Sequence, residues 1–265
     1  MLRPRDDSDQ PVIKADIEIV PKPRQLFWAK DRFGNHFATA RFEGRASGLR
    51  FVSNIRVDHV LAHFCETDID AVAQTYPFSY PPKSSVFAEN PAPNPTIKSW
   101  AARFLREEGS ARTHPLLVDI TQAIHRTFRH VARHEKGIQD PVETLTLRSG
   151  SCRDLAVFMI TVLHSLGIEA RFVSGYLYVP DDDRTTGGNT HAWVQAYIPG
   201  PGWVDFDPSS GMAGNQNLVR VATVSNPRDA IPVEGSWIGS QSDYLAMDVS
   251  VRVDETVPGA CEVLQ

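Results

Sequence analysis

The sequence predicts an α+β fold in which a β-rich module is followed by a helical block and then by antiparallel strands. Three observations carry this expectation. Short runs with period-two alternation fill the chain before residue 65; apolar residues then recur at helical spacing from residue 97 to residue 166; strand-like runs divided by polar or Gly-Pro turns return after residue 169. With 265 residues, 42% of them hydrophobic, the chain can bury a sizeable core and hold one large domain or two smaller ones. The expected division is a β-rich N-terminal module with its connector over residues 1–90, a helix-and-strand core over 91–215, and C-terminal strands over 216–265 that pack on either of the other two.

The N-terminal runs "VIKADIEIV", "HFATARFE" and "LRFVSNIRVDHVLA" alternate apolar and polar residues and are interrupted by Pro21, Pro23 and the turn Asp31 to Asn35, a pattern of antiparallel strands with one buried face. Between Glu66 and Pro95 the composition shifts to Pro, Ser, Asn and aromatics, which predicts an irregular surface connector. Helical spacing begins with Ile97, Trp100, Ala101, Phe104 and Leu105, with Gly109 as a stop. A second stripe runs through Leu116, Leu117, Ile120, Ile124, Phe128 and Val131 to Gly137. Two helices are thus expected before Cys152. A further helix begins at Ser151, whose hydroxyl can cap the first turn with Asp154 three residues on; its stripe is Leu155, Phe158, Met159, Val162, Leu163 and Leu166, and Gly167 ends it. Then come the strand candidates "EARFVSGYLYV", "HAWVQAYIP" and "WVDFDP", the last two joined by a Gly-Pro-Gly turn that predicts a hairpin. The tail adds "LVRVATV" and "MDVSVRV", which are expected to complete the sheet or return to the N-terminal module.

Charge and composition exclude several classes of function. A net charge of -5 with scattered Lys and Arg provides no basic stripe for nucleic acid, and no run approaches the roughly 18 apolar residues that would cross a bilayer. The N-terminal "MLRPRDDSDQ" lacks the apolar stretch of a secretory signal, so the expected location is cytoplasmic. Cys65, Cys152 and Cys261 are too few and too far apart for a disulfide framework or a Cys-x-x-Cys metal pair, so each needs its own explanation.

Cys152 is the one with a chemical setting. At the first turn of a helix it sits near backbone N-H groups without intrahelical partners and near the positive end of the macrodipole, both of which favour thiolate over thiol. A thiolate nucleophile needs a base that later protonates the leaving amine, and His191 opens a strand from which it can face a helix tip, with Trp193 and Gln195 on the same face. A carboxylate that fixes the imidazole tautomer is available on the next strand. Asp205 and Asp207 share a face there, and periodicity alone does not choose between them.

The order "GSCRDLA", "THAWVQAYIPGPGW", "WVDFDPSSG" resembles the core of the transglutaminase-like superfamily, in particular bacterial members described as candidate cysteine proteases. The resemblance implies a papain-like α+β fold with Cys152 as nucleophile, His191 as base and Asp207, four residues after Trp203 and ahead of Pro208, as the orienting carboxylate. "RPRDD" and "DRFGN" are similar to the β-rich region that precedes that core, and "RFVSGYL" to the strand after the catalytic helix. Family members carry a further β segment ahead of the "RPRD" match, so the N-terminal module is expected to be incomplete. The implied activity is amide chemistry through a thioester acyl-enzyme, chiefly hydrolysis of a peptide or isopeptide bond. Protein transamidation, an acyltransferase using an activated thioester donor, and a non-catalytic peptide-binding module are the alternatives. The implied partner is a peptide or protein substrate, with no cofactor, metal, nucleic acid or membrane. By the helix-tip argument the Cys152 N-H is one oxyanion donor, while the second, Trp100 or a backbone group, stays open.

The remaining polar features have plainer readings. His130 and His134 stand four apart in a stretch read as helix, but "HVARH" lacks the glutamate of a zinc-protease motif, so they are read as helix-end residues. Asp181, Asp182 and Asp183 are read as a solvated loop rather than a calcium site. Asp154 is a cap residue, and Arg153 is a surface charge or a contact for a substrate carboxylate. Trp193 and Trp203 are read as packing residues, and Cys65 and Cys261 as inert.

Overall fold

The computed structural model describes residues 2–80, 94–133, 135, 137–179 and 188–255. The N-terminal strands pair as two hairpin-like ribbons. β1 (Val12–Val20) runs antiparallel to β4 (Arg50–Val57), and β2 (Gln25–Lys30) antiparallel to β3 (His36–Arg41). The β2–β3 turn is made by Asp31, whose carboxylate accepts the N-H groups of Phe33 and Asn35 at 2.8 Å each, while Gly34 takes the left-handed φ of 81° that a side chain would resist.

After β4 the connector forms two 3-10 turns, Glu66–Asp68 and Ala71–Ala73, and β5 (Thr75–Tyr76), which pairs with β6 (Ala111–Arg112). Between those strands lies α1 (Pro95–Ala102), capped by the Asn94 side chain, which accepts the Thr96 N-H at 2.9 Å. It stops well short of Gly109; Phe104 and Leu105 still pack on the core from the turn that follows.

α2 (Thr113–Thr127) buries Leu116, Leu117, Ile120 and Ile124 as the spacing predicts, but it ends at Phe128 rather than running on to Gly137. The reason is tertiary. Residues 129–131 give their hydrogen bonds to a neighbouring segment: Arg129 N-H to Arg148 O at 2.8 Å and Val131 N-H to Gly150 O at 3.0 Å, so that β7 (Arg129–His130) lies parallel to β8 (Ser149–Gly150). His130 is therefore on a strand rather than at a helix end, and His134 lies outside the described residues. Between β7 and β8 stands a third helix that the apolar pattern did not reveal, α3 (Pro141–Leu147), capped by Asp140 with Pro141 in its first turn.

α4 (Cys152–Ser165) packs on β9 (Ala170–Tyr178) and β10 (Gly188–Ile198). With β11 (Gly202–Asp207), β12 (Met212–Ala213) and β13 (Leu218–Val224) these form an antiparallel sheet in the order β12-β11-β10-β9-β13. The α+β class and the β10–β11 hairpin agree with the sequence expectation, and "LVRVATV" does complete the sheet. "MDVSVRV" does not form a strand: it is largely exposed, with a single bridge at Arg252.

Strand alternation divides the sheet chemically. Ala192, Val194, Ala196 and Ile198 of β10, with Val204 and Phe206 of β11, join the helices in the main core, which includes the fully buried Leu155, Phe158, Met159, Val162 and Leu163 of α4. The opposite face carries Trp193, Asp205 and Arg220 and receives the N-terminal segment. Gln10 pairs with the free edge of β13, donating to Arg220 O at 2.8 Å and accepting the Arg220 N-H at 2.6 Å, and Asn35 does the same for Thr223 at 2.8 and 2.9 Å. These side-chain amides replace a missing neighbour strand at a buried edge. Residue Gly175 of β9 has no room for a side chain, since a Cβ there would stand 2.0 Å from Val219 O and 2.7 Å from Trp193 Cη2.

Candidate active site

Cys152 is the first residue of α4, and the turn that presents it is tightly built. Asp154, fully buried, accepts the Ser151 N-H at 2.8 Å and the Ser151 hydroxyl at 2.7 Å, while its own N-H reaches Ser151 Oγ at 3.4 Å, the expected reciprocal cap. The same carboxylate also accepts the Gln139 N-H at 2.8 Å and Arg133 Nη1 at 2.8 Å. Burial alone would raise the Asp154 carboxyl, but Arg133 and the donated N-H groups hold it below its ordinary value. Gly150 is required by this packing, because a Cβ there would lie 2.8 Å from the Asp154 Cβ. Arg133 and Gln139, both silent in the sequence pattern, are thus what make the cap rigid.

His191 on β10 and Asp207 at the end of β11 meet at the same end of the sheet. His191 Nε2 is 2.9 Å from Asp207 Oδ2, with the ring 7% exposed and the carboxylate fully buried. The structure therefore selects between the two aspartates that sequence periodicity left open. Asp207 also accepts the Ser209 N-H at 2.9 Å, the Ser209 hydroxyl at 2.7 Å and the Ser210 hydroxyl at 2.6 Å. Burial would raise its carboxyl; the bonds from His191, Ser210 and Ser209 bring it to about 2. Asp205 is occupied elsewhere, accepting Trp193 Nε1 at 2.7 Å and Arg220 Nη1 at 2.9 Å.

The Cys152 sulfur, half-buried, lies within the hydrogen-bonding reach of two imidazoles, His130 and His191, and of the Ala192 N-H. Burial by itself pushes the thiol up, but His130, then His191 and the Ala192 N-H, outweigh it and bring the thiol to about 6. His191 responds in the opposite sense: burial pushes it down, yet Asp207 and Cys152 raise it to about 10. The two shifts run in opposite directions, and both favour the thiolate and imidazolium forms over the neutral pair.

His130 was not legible as a site residue, since only the β7–β8 pairing sets it opposite Gly150, two positions before the sulfur. Trp100, an open choice as the second oxyanion donor, packs in the core, its ring 5.1 Å from Phe158, 5.0 Å from Phe104 and 6.2 Å from Phe128. Trp193 is fully buried and stacks 6.1 Å from the His191 ring, whereas Trp203 is part-exposed beneath the Arg171 guanidinium at 4.0 Å. Arg153 is exposed and forms no ion pair among the described residues. Cys65 is free and exposed, at the start of a 3-10 turn. Asp181 to Asp183 and Cys261 lie outside the described residues. Among the described residues no group of His, Cys, Asp and Glu could hold a metal ion, and no helix is long and apolar enough to cross a membrane.

Comparison with known proteins agrees with this architecture. The transglutaminase-like superfamily profile matches residues 98–208, and that of the bacterial transglutaminase-like N-terminal region matches residues 1–58. An uncharacterized protein of Mycobacterium leprae is 34% identical over 107 residues, 39% of this chain and 37% of that protein. The protein-glutamine gamma-glutamyltransferase of Pseudomonas aeruginosa is 30% identical over 126 residues, 42% of this chain and 18% of that protein. The chain spans less than half the length of the curated relatives it matches. The crystal structure of a candidate cysteine protease from Cytophaga hutchinsonii superposes with a TM-score of 0.60 at 19% identity, over 86% of this chain and 76% of that one, a likeness of fold. Both matched regions and the fold place this chain in the transglutaminase-like superfamily, with the bacterial N-terminal region ahead of the core.

Proposed function

We propose that this protein is a cysteine-dependent enzyme acting on amide bonds through a thioester, with hydrolysis of a peptide or isopeptide bond as its reaction. The observation that carries this reading is the contact of the Cys152 sulfur, at a helix N-terminus, with a His191 ring held from behind by Asp207 at 2.9 Å. In this reading the Cys152 thiolate attacks the carbonyl carbon and the π pair moves to oxygen. His191 then gives its proton to the departing amine, and the thioester is released by water that His191 deprotonates. Asp207 keeps the ring oriented and supports its positive charge; it gains no proton, consistent with its low value. The Cys152 N-H, in the first helical turn and without an intrahelical partner, supplies one donor to the oxyanion.

A second acceptor gives a second reaction. If a lysine amine replaces water, the same acyl-enzyme yields an isopeptide, and the similarity to the Pseudomonas glutamyltransferase favours keeping this reading beside hydrolysis. The test is mass spectrometry of a peptide library incubated with wild type and with Cys152→Ala, with and without a primary amine. Cleaved or deamidated products that depend on Cys152 support hydrolysis, and amine-adducted products support transfer. Unchanged peptide affinity in both proteins with no product in either would make the chain a binding module.

A further inference from the structure

We propose that His130 is a second catalytic imidazole at this centre, donating an N-H to the oxyanion that forms when Cys152 attacks a carbonyl. The inference rests on the reading of Cys152 as a nucleophile and names the side-chain donor which that chemistry needs.

Backbone geometry places the ring. The β7–β8 pair is parallel, with His130 opposite Gly150, and the Val131 N-H bound to Gly150 O at 3.0 Å anchors the register immediately before the helix that starts at Cys152. The ring reaches the sulfur itself, and His191 and Asp207 are the other ionisable groups whose charge it senses. Those two are committed to each other, and His191 must also serve the leaving amine. His130, in contrast, is exposed and has no carboxylate partner among the described residues, so the sulfur is the one acceptor that a substrate oxygen bonded to the attacked carbon would replace. Arg129 and Arg148, which flank the same pair of strands, are exposed and carry no proton acceptor for it.

Distances favour the same role. An attacked carbonyl carbon approaches the sulfur to about 3–3.5 Å before reaction from above the carbonyl plane, so its oxygen, about 1.2 Å from that carbon, lies to the side of the S···C line and two bonds from the sulfur once the C–S bond forms. A donor already in hydrogen-bonding reach of the sulfur therefore comes into reach of that oxygen once the C–S bond forms. In the step itself, the C–S bond forms and the carbonyl π pair becomes the oxyanion lone pair. The His130 N-H bonds to this oxygen without transferring its proton. On collapse the C–N bond breaks and the amine takes its proton from His191, so the balance is closed without another reactant.

The experiment separates oxyanion binding from thiolate formation. Iodoacetamide alkylation of Cys152 passes through no oxyanion, whereas acylation by p-nitrophenyl acetate does. Both rates are measured at about pH 9.5, where the thiol of each variant is ionised, for wild type, Cys152→Ala, His130→Ala and His130→Gln, with circular dichroism as the folding control. The expected result is that His130→Ala alkylates within a few-fold of wild type but acylates about 10²-fold more slowly. His130→Gln, which keeps an uncharged N-H donor, should recover most of the acylation rate while the alkylation midpoint of both variants moves to higher pH. Wild-type acylation by His130→Ala under these conditions overturns the proposal, as does equal loss in the Gln and Ala variants. A wild type with no Cys152-dependent nitrophenolate burst overturns the nucleophile reading beneath it. A wild type that acylates but cleaves no peptide removes only the hydrolysis reading, and the His130 result still decides this one.

Discussion

Trp193 and Asp205 hydrogen-bond at 2.7 Å with the same diagonal offset across β10 and β11 that brings His191 and Asp207 to 2.9 Å, two residues further along the sheet. Two strands with one register thus build two acid-ring pairs. What separates them is their second partner. Asp207 takes only hydroxyl and amide donors, so its charge is answered by the His191 ring; Asp205 takes Arg220, whose own bonds run to Asp9 of the N-terminal segment. Burial raises the Asp205 carboxyl, against the pull of Arg220. One pair is equipped to hold a proton on imidazole, and the other ties the N-terminal region to the core.

Substituting the two aspartates should therefore give opposite phenotypes. Asp207→Asn is expected to stay folded and lose about 10⁴-fold in kcat, because the ring loses its orienting anion. Asp205→Asn is expected to cost about 3 kcal/mol of stability by leaving buried Arg220 under-compensated, with kcat per folded molecule changed by less than about tenfold. Thermal unfolding read alongside turnover of the same preparations checks both.

The pH profile of the wild type follows from the two central groups. The proposed reaction needs the thiolate, so kcat/KM should fall as pH drops below the Cys152 value of about 6. It also needs a protonated His191, so kcat/KM should fall again as pH rises through about 10. Iodoacetamide alkylation should show only the acidic limb, since it requires the thiolate and no acid. An alkylation midpoint for Cys152 no lower than that of the exposed Cys65 in the same sample would count against an assembled pair.

Asp154→Ala tests whether the helix tip is held from below. Removing a fully buried carboxylate that caps Ser151 and binds Arg133 and the Gln139 N-H should cost about 3–5 kcal/mol. The urea midpoint should fall accordingly, and Cys152 alkylation at neutral pH should slow as the first turn of α4 loosens.

Gly175→Ala should be as damaging without touching any polar group. The added methyl meets a backbone oxygen of β13 at 2.0 Å, so the β9–β13 ladder must open. A loss of about 3 kcal/mol is expected, visible as a lower thermal midpoint. An unchanged midpoint would mean that this edge of the sheet is looser than its contacts indicate.

Local chemistry accounts for what was legible. The Ser151–Asp154 cap, the stripe from Leu155 to Leu163 and the alternation of "HAWVQAYI" are patterns in which each residue's neighbours in sequence are also its neighbours in space, and these elements appear as predicted. α3 was readable in principle from Asp140 and Pro141, but it is too short for an apolar stripe to mark it. Helical spacing does continue through Val131, but α2 ends before it because the backbone bonds to residues 148–150, distant in sequence, win over that spacing.

The sequence alone determined the α+β order of elements, the helix-tip position of Cys152, and the sharing of one strand face by His191 with Trp193 and of another by Asp205 with Asp207. Periodicity is a one-dimensional quantity and reports such relations fully. Packing in three dimensions settles which aspartate meets His191, that Ser209 and Ser210 secure it, that Trp100 lies in the core, and that His130 stands at the sulfur. The His191–Asp207 and His130–Cys152 contacts depend on the register between segments 16 and 22 positions apart, which is set by packing and by backbone hydrogen bonds across the gap rather than by the pattern within either segment.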